Sequence, residues 1–370
     1  MDRLTAAILL LLPLSAQAEA TLSGFAQQNA AFNTVAANPD GQQHHKWLEE
    51  RIRLKLDAGA GDWRLSLKGD IAYDHLGRQE ETELREGYAD YVAGNWDLRV
   101  GRQVVTWGLG DLVFVNDVWP KDHEAMFAGR PMEYLKRGVD AVKLSAYPEF
   151  ASFELVASPE FRESRTPDSL RFHTGMPALA TLKPRRGEAG VRVYRDIAGW
   201  DAALYLYRGY QRTPSVRSDG VFHYPELATF GASLSGRAGS GVLNLELARY
   251  DFSGIEAPPS QTRALAAWQT QPWEDFSLNL QYYVERDIRT NNTVGVRATQ
   301  MFLHQTLRLS VYASHRLHDG DSFVNPELRY SFTDRLWGAL GANLFDGTAT
   351  GPFGQLSRDD NLYLQVRYEF

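Results

Sequence analysis

Nine histidines, 46 Asp+Glu and 39 Lys+Arg carry the reactive chemistry of this 370-residue sequence, which has no cysteine. Without Cys there are no thiolate nucleophiles, no thiolate metal ligands and no disulfides. The histidines (His44, His45, His75, His123, His173, His223, His304, His315 and His318) all fall in or beside stretches that read as connections. Adjacent residues such as His44-His45 rarely share an ion, and no His/Asp spacing supports a site, so no metal is expected. A phosphate loop, a nucleophile elbow and a paired-carboxylate motif in confirming context are all missing. The sequence therefore predicts no enzyme and no cofactor. A formal net charge of -7 argues against nucleic acid as a partner, since such partners select basic surfaces.

The charges do something else: they alternate with apolar residues. From Trp63 to Tyr73 one face reads Trp63, Leu65, Leu67, Gly69, Ile71, Tyr73, and the other Arg64, Ser66, Lys68, Asp70, Ala72. Leu48–Ala58 sets Ile52, Leu54, Leu56 and Ala58 against Arg51, Arg53, Lys55 and Asp57. Phe276–Val284, Thr306–Ala313 and Asn361–Phe370 repeat the pattern. Period two is the strand signature, and helical spacing fails in these windows. No apolar run approaches the roughly 18 residues that a membrane helix needs.

Strands of about 9–11 residues suit a tilted bilayer crossing. Tryptophans follow short turns at Trp63, Trp96, Trp200 and Trp273, as an interfacial girdle requires of side chains with one wet edge and one apolar face. Girdle positions are assigned to Trp63, Trp96 and Trp200. The reading is an all-β chain forming a closed antiparallel transmembrane barrel of about 18 strands, with 16 as the alternative count. Strands are expected to start near residues 22, 47, 63, 84, 96, 138, 152, 188, 200, 227, 241, 263, 275, 293, 306, 323, 336 and 361. Long and short connections are expected to alternate without exception, as in outer-membrane barrels. Residues 1–18, with Arg3, an apolar run from Ala6 to Leu14 and Ala16-Gln17-Ala18, read as a signal peptide of a Gram-negative exported protein. Residues 19–370 are then the barrel. Its expected location is the bacterial outer membrane, with lipid around it.

With apolar faces toward lipid, the alternate positions define a lumen. The expected basic lining is Arg51, Arg53, Lys55, Arg64, Lys68, Arg99, Arg297, Arg308, Arg329 and Arg367; the expected acidic lining, on an opposing wall, includes Glu86, Asp90, Asp97, Glu246, Glu285 and Glu327. Unpaired buried charges cost several kcal/mol each, so such a lumen is water-filled or densely salt-bridged. The connection 108–137 carries apolar pieces that do not suit open water, and the expectation is that it folds inward as a constriction, with Asp111, Asp117, Lys121 and Arg130 as its charged groups. Asp111 and Asp117 are expected to pair with Arg102 or the basic strands.

Gly101-Arg102-Gln103, then Trp107-Gly108, Asp111, Asp117 and Pro120 resemble a run in proteobacterial outer-membrane barrels distantly similar to the alginate-export and substrate-specific porins. The terminal aromatic Phe370, with Leu362, Leu364, Val366 and Tyr368 on its face, resembles the C-terminal signal that such barrels present to the outer-membrane assembly machinery. The resemblance implies a porin-like channel for small polar or anionic solutes, or for export of an acidic polymer. The alternatives are a non-conducting barrel acting as a sheath or assembly partner for another envelope protein, a periplasmic partner included, and, less favoured, an outer-membrane hydrolase.

Overall fold

The computed structural model describes residues 19–39, 44–167, 169, 171–174 and 180–370. The signal peptide assigned to residues 1–18 lies outside the described residues. Six strands open the barrel: β1 Glu19–Asn33, β2 His45–Ala60, β3 Trp63–Asp74, β4 Gln79–Ala93, β5 Trp96–Gln103 and β6 Val139–Ala146. Six follow: β7 Ser152–Ser158, β8 Glu188–Ile197, β9 Trp200–Tyr210, β10 Glu226–Ala238, β11 Gly241–Ser253 and β12 Gln261–Trp273. The last six are β13 Phe276–Arg286, β14 Thr290–Phe302, β15 Leu307–Arg316, β16 Ser322–Ser331, β17 Leu336–Asp346 and β18 Asn361–Glu369. Each is antiparallel to the next, and β18 returns to β1 in register from Phe25↔Glu369 to Asn33↔Asn361. The sheet is closed, so no edge is left to template aggregation. Phe370 adds a last rung, its N–H donating to the Gly24 carbonyl at 3.0 Å and its carbonyl accepting from the Gly24 N–H at 2.9 Å.

The two faces differ as the alternation requires. On β2, Ile52 and Leu54 are 51% and 46% exposed while Arg51 and Arg53 are 2% and 6%. The apolar set faces outward and the charged set faces the lumen. Near the short-turn end Tyr91 is flanked by Trp63 and Trp96, with ring centroids 4.9 and 5.6 Å away, and Trp200 covers Gly236. All eighteen strands fall where the sequence placed them, with lengths from seven (Ser152–Ser158) to sixteen residues (His45–Ala60). The largest offset is β4, which starts at Gln79 rather than near Leu84. A bulge is the reason: Lys68 pairs with Glu86 but Gly69 with Leu84, which leaves Arg85 out of the ladder and shifts the phase of the pattern.

The long–short rhythm needs correction. On the long-loop side, connections 75–78 and 287–289 span only four and three residues, as short as the turns at the other end. Both join strands whose ladders run to their ends (Asp74↔Gln79, Arg286↔Thr290), so no long loop is needed. The longest connections, 104–138 and 159–187, leave the barrel on one side. The first carries the short helix α1, His123–Phe127, whose N-cap Asp122 accepts from the Ala125 N–H at 2.8 Å.

Candidate functional site

Residues 104–138 lie against the inner faces of strands most of the way round the barrel. Leaving β5, the segment puts Trp107 on Gly190 of β8, where a Cβ would collide with the indole. Trp107 packs on Trp119 and Tyr205, at centroid distances of 5.3 and 5.8 Å, and its Nε1 donates to Glu154 at 2.6 Å. Asn116 sits on Gly231 of β10, another position with no room for a Cβ. Glu246 of β11 then takes the segment's backbone: it accepts from the N–H of Leu109 (2.6 Å), Gly110 (2.9 Å) and Asn116 (3.2 Å) and from Asn116 Nδ2 (2.8 Å). Four N–H groups on one carboxylate fix the segment's backbone against the strand. Asp111 pairs with Arg297 of β14, Nη2 to Oδ1 at 2.9 Å, and its N–H donates to Gln281 of β13 at 2.8 Å.

The return leg crosses to the other wall. Its carbonyls are taken by the last strands: Asn343 and Asn361 donate to Phe127 O at 2.9 and 3.1 Å, and Gln365 donates to Gly129 O. Arg130 pairs with Glu49 and Glu81 and stacks over Trp47, 4.0 Å from the ring. Glu133 bridges Arg53 of β2 and Arg367 of β18. Burial opposes its charge, but the two guanidiniums outweigh burial and hold the carboxyl below the usual glutamate range. Tyr134 is 1% exposed and is ringed by the guanidiniums of Arg51, Arg53 and Arg85, at 4.9, 4.9 and 4.6 Å. Arg85, the bulged residue, donates to the Glu133 and Lys136 carbonyls at 3.1 and 2.9 Å. Burial and the nearby Lys121 ammonium push the His123 imidazole down to about 4.

The expected lining residues lie on lumenal faces, but their charges are largely spoken for. Arg51 pairs with Glu49, Asp70 and Glu81; Arg53 with Asp70 and Glu133; Lys55 with Asp57; Lys68 with Glu86; Arg99 with Asp90; Arg297 with Asp111; Arg308 with Glu327; and Arg367 with Glu133. The basic and acidic sets are therefore not opposing walls, as expected, but interleaved neighbours. The cause is cross-strand register: Lys68↔Glu86 and Asp90↔Arg99 are directly opposite, the arrangement that stabilises a sheet pair. Asp97 accepts from the Tyr147 hydroxyl at 2.6 Å, Glu285 pairs with Arg263 at 3.1 Å, and Glu246 serves the segment's backbone. Among the described residues, Arg64 and Arg329 have no ion pair. Arg329 lies over Trp337, 3.8 Å from its ring, directly across the ladder from Arg308.

Two expected pairings are corrected. Asp117 does not reach the barrel; it pairs with Lys121 (2.9 Å) and Lys136 (3.4 Å) of its own segment, because both lysines fold back beside it. Arg102 takes Asp140 of β6 bidentately, at 2.8 and 2.7 Å, the two being opposite in the β5–β6 ladder. Gly101 admits a close backbone: φ is +126° and a Cβ would strike the Gly87 carbonyl. Sequence reasoning missed Glu49, Arg85, Glu133 and Tyr134. Glu133 lies in a loop without periodicity, and Arg85 sits on a bulge that breaks it.

No family model matches the sequence and no curated protein matches it. Solved structures do. Pseudomonas aeruginosa OccK2 (OpdF), in complex with glucuronate, superposes with a TM-score of 0.67 at 13% identity, over 95% of this chain and 98% of that one. The fold is that of the substrate-specific outer-membrane porins. Pseudomonas aeruginosa OpdK with vanillate gives 0.63 at 12%, covering 95% and 98%, and Acinetobacter baumannii OccAB3 gives 0.63 at 8%, covering 95% and 99%. The expected architectural resemblance to substrate-specific porins thus holds at the level of the whole barrel.

Proposed function

We propose that this chain is a channel of the bacterial outer membrane that passes small polar or anionic solutes, with carboxylates preferred. The observation that carries the reading is that, of the ten basic residues expected to line the lumen, Arg64 and Arg329 have no ion pair among the described residues. Arg64 is one residue from the start of β3 and Arg329 two from the end of β16, so both lie toward the short-turn mouth. Arginine rings select anions in pores, and the planar guanidinium takes a carboxylate bidentately. The neighbours carrying glucuronate and vanillate support a carboxylate ligand. In this reading the segment 108–137 is the constriction: Asp111 and Arg130 tie it to opposite walls, while Asp117 and Lys121 stiffen its middle.

The test is the reversal potential of the channel in a planar bilayer under a KCl gradient. An anion preference is expected, reduced by Arg64→Ala and by Arg329→Ala. A cation preference indifferent to both substitutions would remove anion selection, and a barrel that conducts nothing would replace the channel with a sheath for another envelope protein.

A further inference from the structure

Three arginines break the apolar outer face on one sector of the barrel: Arg208 of β9, Arg249 of β11 and Arg286 of β13, all exposed and all near the long-loop ends of their strands. Alternation turns them outward, since Arg208 shares its face with Leu204 and Leu206, and Arg249 with Leu245 and Leu247, all four leucines being exposed. Arg249 and Arg286 lie directly opposite Thr262 of β12 from its two sides, and Arg208 lies opposite Ala189 of β8 and Ala228 of β10. The arginines thus come on alternate strands, about 10 Å apart across the sheet, with the short side chains of Ala228 and Thr262 between them. A fourth, Arg186, ends the basic run Lys183-Pro184-Arg185-Arg186 just before β8 and is exposed as well. Two acids share the sector, Glu226 and Asp251, and Asp251 meets Arg249 at 2.9 Å. Among the described residues, Arg186, Arg208 and Arg286 have no ion pair.

Their depth suits a headgroup. Arg208 lies eight positions past Trp200 at the short-turn end of β9. At about 3.3 Å per residue and a tilt near 40° that climbs about 20 Å, close under the far edge of an apolar band about 25 Å tall. From there a guanidinium reaches the outer headgroups while its stem stays among acyl chains. Two hollows in the outer wall meet at this residue. One, about 360 Å3, lies over Ala189 and Ala228 with Leu206 and Phe230 as its sides; the other, about 490 Å3, is lined by Arg186, Glu226 and Ser253. Arg208, Ala189 and Ala228 belong to both. The first is a groove for a hydrocarbon chain and the second a cationic seat for its polar head.

We propose that this sector of the outer wall binds a phosphorylated, multiply acylated lipid of the outer leaflet. Arg186 and Arg208 hold a phosphate, which a guanidinium can take bidentately. Arg249 and Arg286 extend the cationic surface to a second anionic group of the same lipid, and one acyl chain lies over Ala228 between Leu206 and Phe230. The site faces lipid and takes no part in conduction, so it stands apart from the channel reading.

The test is native mass spectrometry of the full chain released from a neutral detergent, with diphosphoryl lipid A as probe. Its dephosphorylated form, phosphatidylglycerol and inorganic phosphate are run in parallel. Wild type should retain one diphosphoryl lipid A saturably and the dephosphorylated form at least about tenfold more weakly. Neither phosphatidylglycerol, with its two chains, nor inorganic phosphate should displace it at equal concentration. Arg208→Gln should weaken diphosphoryl lipid A about tenfold and leave the dephosphorylated form unchanged, a split that a misfolded variant would not give. Ala228→Leu fills the groove and should weaken both forms. Arg195→Gln removes an exposed arginine at the short-turn end of β8 and should change neither. Equal retention of phosphatidylglycerol, displacement by inorganic phosphate, wild-type affinity in Arg208→Gln and Ala228→Leu, or an equal loss in Arg195→Gln overturns the site.

Discussion

Lys46 and Asp359 meet at 2.9 Å with neither side chain exposed, and Asp359 also accepts from the His173 N–H at 2.8 Å. An ion pair so removed from water adds little net stability, but breaking it strands a charge. Asp359→Ala should therefore lower stability by about 3–5 kcal/mol, read as urea unfolding from micelles. The double variant Lys46→Met with Asp359→Leu should recover most of the loss; a double variant as unstable as the single one would show that shape, and not charge, matters there. This pair was invisible in the sequence. Its members are 313 residues apart and meet only because β18 closes on β1. By contrast, Arg51, Arg53, Lys68 and Arg308 were legible as lumenal, because strand alternation fixes which face a residue takes whatever its partner. Alternation says nothing about which acid lies opposite, and that decides which charges stay uncompensated.

The crossing segment is seated by two inward glycines. A side chain at Gly231 would displace Asn116, and one at Gly190 would displace Trp107. Gly231→Val should unseat Asn116 from Glu246 and raise single-channel conductance without unfolding the barrel. Deleting residues 112–130 should raise it further; unchanged conductance in the deletion would mean that the segment does not limit flow. Acid should act in the same direction. Glu133 is held below its ordinary value by Arg53 and Arg367, so its hold on both is complete at neutral pH and is lost only as pH falls below the usual glutamate range. His123, held down to about 4 by burial first and by Lys121 second, is neutral when seated. From pH 6.5 to 4, protons therefore favour the unseated form, which binds one more. Conductance should rise over that range, and His123→Phe should abolish the part of the rise above pH 4. The length of this element, its apolar pieces and Asp111 were legible in the sequence; the inward placing of Tyr134 and Glu133 was not, because a loop has no period to betray its inward groups.

The whole barrel was the most legible level, since eighteen alternating segments allow few other closures. The errors of rhythm came from tight connections at 75–78 and 287–289, where ladders running to their ends leave nothing for a loop to span. Phe370 is 48% exposed on the outer surface while its backbone pairs with Gly24. Its side chain is worth at most about 1.5–3 kcal/mol of burial, so deleting it should lower the amount of protein in the outer-membrane fraction more than it lowers the unfolding midpoint. Equal amounts on immunoblots of the two forms would sink that expectation.

The first and last strands meet at a seam, and residues 125–134 lie across the inside of it: Ala125 and Tyr134 pack with Phe25 of β1, Gln365 and Arg367 of β18 hold Gly129 and Glu133, and Arg53 of β2 takes the other side of Glu133. A clasp spanning a seam from within has a place in time as well as in space. It must already be inside when the cylinder shuts, because the bonds that fasten it come from both lips. Closure and loop docking are then one event, and variants such as Glu133→Gln should slow insertion into vesicles as well as raise the conductance of the finished channel. A seam clasped in this way is also barred to a strand from a neighbouring chain, so the joint where a cylinder is most easily pried open is the one this molecule bolts shut.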